Sequence, residues 1–508
     1  MKYLLAHDLG TTGDKATLFK EKGNLVCSSF EGYETHYPAP GMVEQNVEDW
    51  WKAFCKSTAD IVKKASVDSR DLVALSISGQ MQAAVPVDSS GRVLRRAMIW
   101  ADSRSSRQVQ KLLALIDERE IYRITGSRVS PTYQGYKIAW LKENEPDLYE
   151  RTYKFLQAKD FINMRLTGEM VTDYSDAVMT NLFDIKRLDW STQLIDLNGI
   201  DHSKLPQTLP SVHDLGNIRP EISSELGLSK NCRVILGAGD GCTAAVGAGA
   251  VGIGDTYLYL GSSSWISTIT DSPLIDGKMR VFTGAHAVKG FYFPSGTMQA
   301  AGASYSWIKD ITYNLESDNL KEKGGDIFKY LDGLLQQYSH HGEEIIYLPY
   351  LHGERSPIWD SSARGVFVGL SASHNRLDLV HSVIEGVSMN LKWILDSIEE
   401  SIPISKIRVI GGGVRSESWK RILSNILGKV LVVPRNVEEA TSMGAAIIAG
   451  VGSGLFDFSA ARDFVVDVEQ IEPAREEHER YLRLYDLFKE TYFSLRETFE
   501  RLAGIRRG

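Results

Sequence analysis

Basic charge is in short supply in this chain: 57 Lys and Arg stand against 65 Asp and Glu, a formal net charge of −8. That balance excludes a nucleic-acid binder, which needs a basic patch and a high isoelectric point. Cysteine is scarcer still. Cys27, Cys55, Cys232 and Cys242 are the only four in 508 residues, and none falls into a C-x-x-C pair or another metal spacing. A disulfide framework and a structural zinc site are thereby excluded, and a reducing compartment is expected. Long apolar runs are missing as well. Met1–Ala6 is too short for a signal peptide, and the least charged stretch, Val234–Gly254, carries Asp240 and many glycines. The expectation is a soluble, cytoplasmic protein with neither a nucleic-acid nor a membrane partner.

What is present is an ordinary globular composition, 43% hydrophobic and 24% charged, at a length that calls for two or more domains. Strand-like runs alternate with helical ones, so the fold class is α/β. Tyr3–His7, Lys15–Lys20 and Leu25–Phe30 read as strands, followed by the amphipathic run Val47–Ala65 and the strand Val73–Ile77. Leu112–Ile116, Lys137–Leu141 and Phe161–Leu166 have helical character, as does Glu476–Leu502 with its aromatic stripe. A strand, a hydroxyl-rich loop and a second strand recur at Asp255–Leu260, Gly261–Ser264 and Trp265–Thr270, about half a chain after Tyr3–Lys20. The repetition suggests two related domains. The glycines between Asp240 and Asp255 suit a boundary hinge there, or close helix packing.

Chemistry concentrates at three glycine-rich turns. After the first strand comes Asp8-Leu-Gly10-Thr11-Thr12-Gly13, with Lys15 beyond. Glycine backbone, threonine hydroxyls and a lysine suit a phosphate, and the aspartate suits its Mg²⁺. Val234–Gly241 ends an apolar strand in Asp240, where glycine is needed at 242 for a dinucleotide fingerprint and Cys242 stands instead. A carboxylate there is either a general base for a hydroxyl or a turn cap. Gly411-Gly412-Gly413-Val-Arg-Ser416 lies between the strand Lys406–Ile410 and a helix beginning near Ser418, where bare backbone can meet a base and ribose.

Gly365-Val-Phe-Val-Gly369-Leu370, then seven residues, then Asp378–Glu385, matches the second signature of the FGGY carbohydrate kinase family at every restricted position. Asp8–Lys15, Val234–Asp240, Gly261–Ser263, Gly411–Gly413 and Met443–Ala446 occur in that family's order, and Pro131–Tyr149 resembles its first signature. Within the family the chain is most similar to xylulokinases, through Ser76-Ile-Ser-Gly-Gln80-Met81 and Ile99-Trp-Ala-Asp102-Ser-Arg104. It departs from them at Gln82, where they have His, and at Gly241, where they have Asn.

The resemblance implies two ribonuclease-H-like, actin/hexokinase-like domains, 1–244 and 245–508, closing on a cleft between them. It implies ATP and Mg²⁺ as cofactors, a small-molecule sugar as partner, and a homodimer. Asp240 would be the general base and Asp8 the Mg²⁺ ligand. Gly10, Thr11, Thr12 and Lys15 would meet the transferring phosphate, with Gly261 and Ser262 as the second phosphate loop. Gly302, Ser306, Gly411, Gly412 and Ser416 would line the adenosine site. Gln80, Met81, Gln82, Asp102 and Asp240 would face the sugar, D-xylulose first and another ketose, sugar acid or polyol as the alternative. Met81 also fits a core position, and Asp102 fits a structural ion pair with Arg104. A nucleotide-dependent sugar sensor is the remote alternative.

Overall fold

Side-chain alternation sets the first sheet. In Tyr3–Leu9 (β1), Leu5 and Leu9 turn to a core shared with Leu18, Leu75, Ile77 and with Trp50, Phe54 and Ile61 of the helix Val47–Ala65. His7 lies on the same face, fully buried, its Nδ1 2.9 Å from Asp14 Oδ2, and Ser57 Oγ donates to that oxygen at 2.5 Å. Asp8, one residue on, therefore points from the opposite face. The computed structural model describes residues 1–339 and 343–505. They form two compact units: residues 1–253 with 269–294 and 439–466, and residues 254–268 with 295–438 and 467–508.

In the first unit β1 is joined by Gly13–Lys20 (β2), Leu25–Gly32 (β3), Leu72–Gly79 (β4), Asp214–Asn217 (β5) and Arg233–Gly239 (β6), in the order β5-β6-β4-β1-β2-β3. Strands β1, β4 and β6 run parallel, while β2 and β3 are antiparallel additions on one side and β5 on the other. The helices Val47–Ala65 and Ala158–Thr167 pack on this sheet, and so does Ala440–Gly452, which arrives from far along the chain.

The second unit repeats the plan. Thr256–Leu260 (β7), Ser264–Thr268 (β8), Tyr292–Met298 (β9, which enters this unit at Ser295), Lys406–Ile410 (β10), Val430–Pro434 (β11) and Asp467–Ile471 (β12) pair in the order β9-β8-β7-β10-β11-β12, six strands of a seven-stranded sheet whose remaining end strand is Phe282–Ala285. Again the pairs β7–β10 and β10–β11 are parallel, and β7–β8, β8–β9 and β11–β12 antiparallel. The two units thus share one five-strand plan, and each adds an antiparallel edge from a different place in the chain. This is the expected α/β, ribonuclease-H-like architecture.

Two local expectations shift. The helix read at Leu112–Ile116 is Ser106–Leu113, because Asp117 accepts from Arg119 N at 2.7 Å and caps a new helix, Glu118–Thr125. The glycines read as a hinge lie partly in the helix Asp240–Gly247, which packs against Ala440–Gly452. A Cβ on Gly247 would stand 1.7 Å from Ala440 O, and one on Gly444 1.9 Å from Thr243 O. These glycines let two helices touch backbone to backbone. Among the described residues no helix is long and apolar enough to cross a membrane.

Candidate active site

Three parallel strands of the first unit end together. The registers Leu9↔Gly79 and Gly79↔Gly239 bring Gly10, Gln80 and Asp240 side by side at the carboxyl ends of β1, β4 and β6. Open α/β sheets bind ligands at such ends. Asp8 sits opposite Ser78 in the ladder, and its Oδ2 accepts from Thr441 Oγ1 at 2.6 Å. Burial raises the Asp8 pKa, while hydrogen bonds from Thr441 and Ser78 pull it back. Lys15 Nζ stands 2.5 Å from Glu439 Oε1. Sequence reasoning missed Glu439 and Thr441, although they directly precede the Met443–Ala446 motif; their signal was a polar pair at a helix start.

Asp240 opens its helix, with Gly241 N donating to its Oδ1 at 2.7 Å. Its side chain meets solvent, yet the protein crowded around the carboxyl strips away hydration, and the charge of Asp8 adds to the effect. Together they push the Asp240 pKa up to about 7. A carboxylate poised there can accept a proton near neutral pH.

The loop after β1 is held by side chains from elsewhere. Gly10 N donates to Gly13 O at 3.0 Å, and the Tyr33 hydroxyl bonds both Gly10 O and Gly13 O. Gln45 Nε2 donates to Thr11 O at 2.7 Å, and Trp100 Nε1 to Thr11 Oγ1 at 2.8 Å. Thr12 is exposed. Gln80 is 2% exposed and gives its amide to Gln45 Oε1 at 2.9 Å and Gly10 O at 3.3 Å.

Met81 packs on the strand end that carries Asp240: a Cβ on Gly239 would lie 2.4 Å from Met81 Cε. Gln82 is partly exposed and takes a left-handed backbone, φ +68. Asp102 is fully buried; Oδ2 accepts from Val43 N at 2.7 Å, and Arg104 spans both oxygens. Its atoms make the structural ion pair that the sequence also allowed.

In the second unit Gly261, Ser262, Gly302, Ser306, Gly412 and Ser416 line one cavity of about 790 Å³, a size suited to a cofactor-like ligand. Gly411 adjoins it, its N–H bonded to Val437 O at 2.9 Å. The loop after β7 is held by backbone: Gly302 N donates to Gly261 O at 2.8 Å, and Ala301 N and Ala303 N both donate to Ser262 O. Asp332, missed from the sequence, ties down the far wall. It accepts from Ser416 Oγ at 2.6 Å, Ser418 N at 3.0 Å and Glu417 N at 3.2 Å. Burial works to raise its pKa, but these bonds prevail and hold it low. The hydroxyl of Ser416 is thus engaged in capping its helix, since it also accepts from Trp419 N. Phe328 and Trp419 add aromatic walls.

The segment Gly365–Glu385 is framework by contrast. Asn375 and Asp378 form a capping box at the start of Arg376–Glu399, and Tyr338 OH donates to Asp378 at 2.8 Å. Cation chemistry is compatible with the first unit: Asp8 and Asp240 are two carboxyls at the ends of parallel strands of one sheet, a hard oxygen donor set beside a phosphate-type loop. Among the described residues no group of three His, Cys, Asp or Glu is arranged to hold an ion alone. Mg²⁺ commonly uses one or two carboxylates together with phosphate oxygens.

Residues 3–247 match the FGGY family of carbohydrate kinases, N-terminal domain, and residues 256–453 its C-terminal domain. The chain is 30% identical over 510 residues to a xylulose kinase of Bacillus subtilis, covering 100% of both. It is 29% identical over 509 residues to a gluconokinase of the same organism, covering 100% of this chain and 98% of the relative. The ligand-bound structure of a xylulose kinase from Lactobacillus acidophilus superposes with a TM-score of 0.91 at 28% identity, covering 99% of this chain and 100% of that one.

Proposed function

This chain belongs to the FGGY family of carbohydrate kinases, and we propose that within it the enzyme phosphorylates a pentulose, D-xylulose first, at a hydroxyl, using ATP. The observation that carries the reading is the register of three strand ends. It sets Gln80 and Met81 beside the strand end that carries Asp240, which supports a sugar held by the xylulokinase-like segment next to a carboxylate.

Asp240 takes the proton from the attacking hydroxyl. That oxygen bonds to the γ-phosphorus as the bond to the ADP oxygen breaks. Thr11, Thr12, Lys15 and the backbone of Gly10 bind the transferring group. Lys15 brings charge there by exchanging Glu439 for phosphate. Asp8, oriented by Thr441, is the residue that would hold Mg²⁺, which when bound supplies neutralising charge to the phosphates. Residues 1–244 carry the sugar and the first phosphate loop. The nucleotide falls within 245–508, with Gly261 and Ser262 as second phosphate loop and Gly302, Ser306, Gly411, Gly412 and Ser416 around adenosine. The four cysteines, all free thiols, suit the reducing cytoplasm. The family expectation of a homodimer is checked by light scattering.

Gluconate is the second reading, favoured by a gluconokinase relative as similar as the xylulose kinase and by the amide of Gln82 at a position that meets sugar hydroxyls in the family. ADP release from MgATP with D-xylulose, L-xylulose, ribuloses, glycerol and gluconate, against a blank without sugar, decides. Preference for D-xylulose supports the first reading, and preference for gluconate replaces it. No release with any acceptor while ATP still binds points to a sugar sensor.

A further inference from the structure

Gln82 is a non-glycine residue with φ +68, a conformation that persists only where the surroundings over-determine it. Here they do. Its N–H donates to Gln157 Oε1 at 2.7 Å, and its carbonyl accepts from Lys137 Nζ at 2.9 Å. The next carbonyl, Ala83 O, accepts from Gln134 Nε2 at 2.7 Å. Gln134 and Lys137 stand three apart in the first turn of the helix Gln134–Asn144, hence on one face. Both are buried, Lys137 completely.

Each of the two makes a second bond that ties this backbone to another segment. Lys137 Nζ donates to Ile99 O at 2.6 Å, the same carbonyl that receives Asp102 N at 3.0 Å. Gln134 Nε2 donates to Leu156 O at 2.9 Å. Lys137 therefore stitches together the two segments that sequence pattern marked for the sugar, Ser76–Gln82 and Ile99–Arg104. Burial pushes its amine down to about 7 against the pull of Asp102. Both of its hydrogen bonds go to main-chain carbonyls.

We propose that Lys137 and Gln134 are positioning residues for the sugar: they hold Gln82 in its left-handed backbone and so fix which hydroxyl its side chain meets. The inference rests on the reading that Gln82 faces the acceptor, and it deepens that reading by naming what sets the discrimination. A general packing role would make the same bonds but would not separate sugar from nucleotide.

The test measures KM for the acceptor that the wild-type enzyme prefers, and KM for ATP, in Lys137→Met and Gln134→Met. The sugar KM rises about tenfold in each, while the ATP KM stays within about twofold. A folded variant with unchanged sugar KM, or with both constants raised together, overturns the proposal. Gln82→Gly guards against a variant that fails to fold, because glycine takes φ +68 without strain. In that background Lys137→Met is expected to fold and to change the sugar KM by about twofold or less, the non-additivity of residues acting on one bond network. A full tenfold change there, or a double variant that stays unfolded, overturns the proposal as well. A wild type that prefers gluconate overturns only the D-xylulose reading, and the same comparison is then made with gluconate.

Discussion

The loops after β1 and β7 occupy equivalent places in the same strand plan, yet side chains have a much larger part in holding the first. It has backbone bonds such as Tyr33 N to Thr12 O, and is fastened besides by side chains of Tyr33, Gln45, Gln80 and Trp100, drawn from well separated points of the chain. The second is fastened by the backbone N–H groups of Ala301, Gly302 and Ala303 at a helix start. A loop held by side chains can be tuned one residue at a time. A loop held by backbone depends on close approach and tolerates little. The first unit also carries the carboxyls at the strand ends, Asp8 and Asp240, whereas the second supplies a cavity with aromatic walls.

The sharpest way to break the comparison is Asp240→Asn. Turnover is expected to fall by about 10²–10⁴-fold or more, with nucleotide binding, read by ADP titration, unchanged. In the wild type, kcat/KM is expected to drop as pH falls through about 7, because the raised pKa protonates the base there. A profile flat from about pH 6 to 8 would remove Asp240 from the base role.

Gly302→Ala comes next. Its Cβ would stand 2.6 Å from Gly261 O, so the second loop must move, and the ATP KM is expected to rise about tenfold to a hundredfold with the sugar KM little changed. Asp332→Ala leaves the Ser416 hydroxyl and the N–H groups of Glu417 and Ser418 without their acceptor; only Ser418 is buried, so the loss of about one buried hydrogen bond, about 1–3 kcal/mol, is expected to raise the ATP KM about tenfold. Trp100→Phe is the mildest, removing one hydrogen bond to Thr11. At about 0.5–1.5 kcal/mol, it should cost a few-fold in kcat/KM. Should Trp100→Phe prove as damaging as Gly302→Ala, the distinction between tunable and intolerant loops fails.

The central strands were legible as apolar runs bounded by Gly, Asn or Asp, and Val47–Ala65 because its aromatics recur at helical spacing; Asp214–Asn217, Val430–Pro434 and Asp467–Ile471 were not read from the sequence. Gly261, Ser262, Gly302, Ser306, Gly412 and Ser416 were found through motif order, and the fold brings them to one cavity. What stayed hidden was partnership. Asp332 acts through a helix N-terminus some eighty residues away in sequence, and nothing in its own neighbourhood announces that. The Trp-x-Asp-x-Arg segment points to Asp102 as a sugar contact, with an ion pair to Arg104 as the alternative; the complete burial and the fork of Arg104 that the fold gives it are not visible in sequence. Glu439 and Thr441 belong to a helix that the boundary at 245 assigned to the second half, whereas it packs in the first unit.

That last helix bears on how the protein is made. A ribosome that has released residues 1–253 has released every strand of the first sheet, but not Ala440–Gly452, whose glycine nests against Asp240–Gly247. Until that helix emerges, one face of the sheet waits uncovered, and Asp8 waits without the hydroxyl that orients it. Most of the second unit is synthesised before the first can be finished. Its most exposed moment therefore comes late in synthesis, and a chain cut short before Glu439 would display that uncovered face to the cell's chaperones.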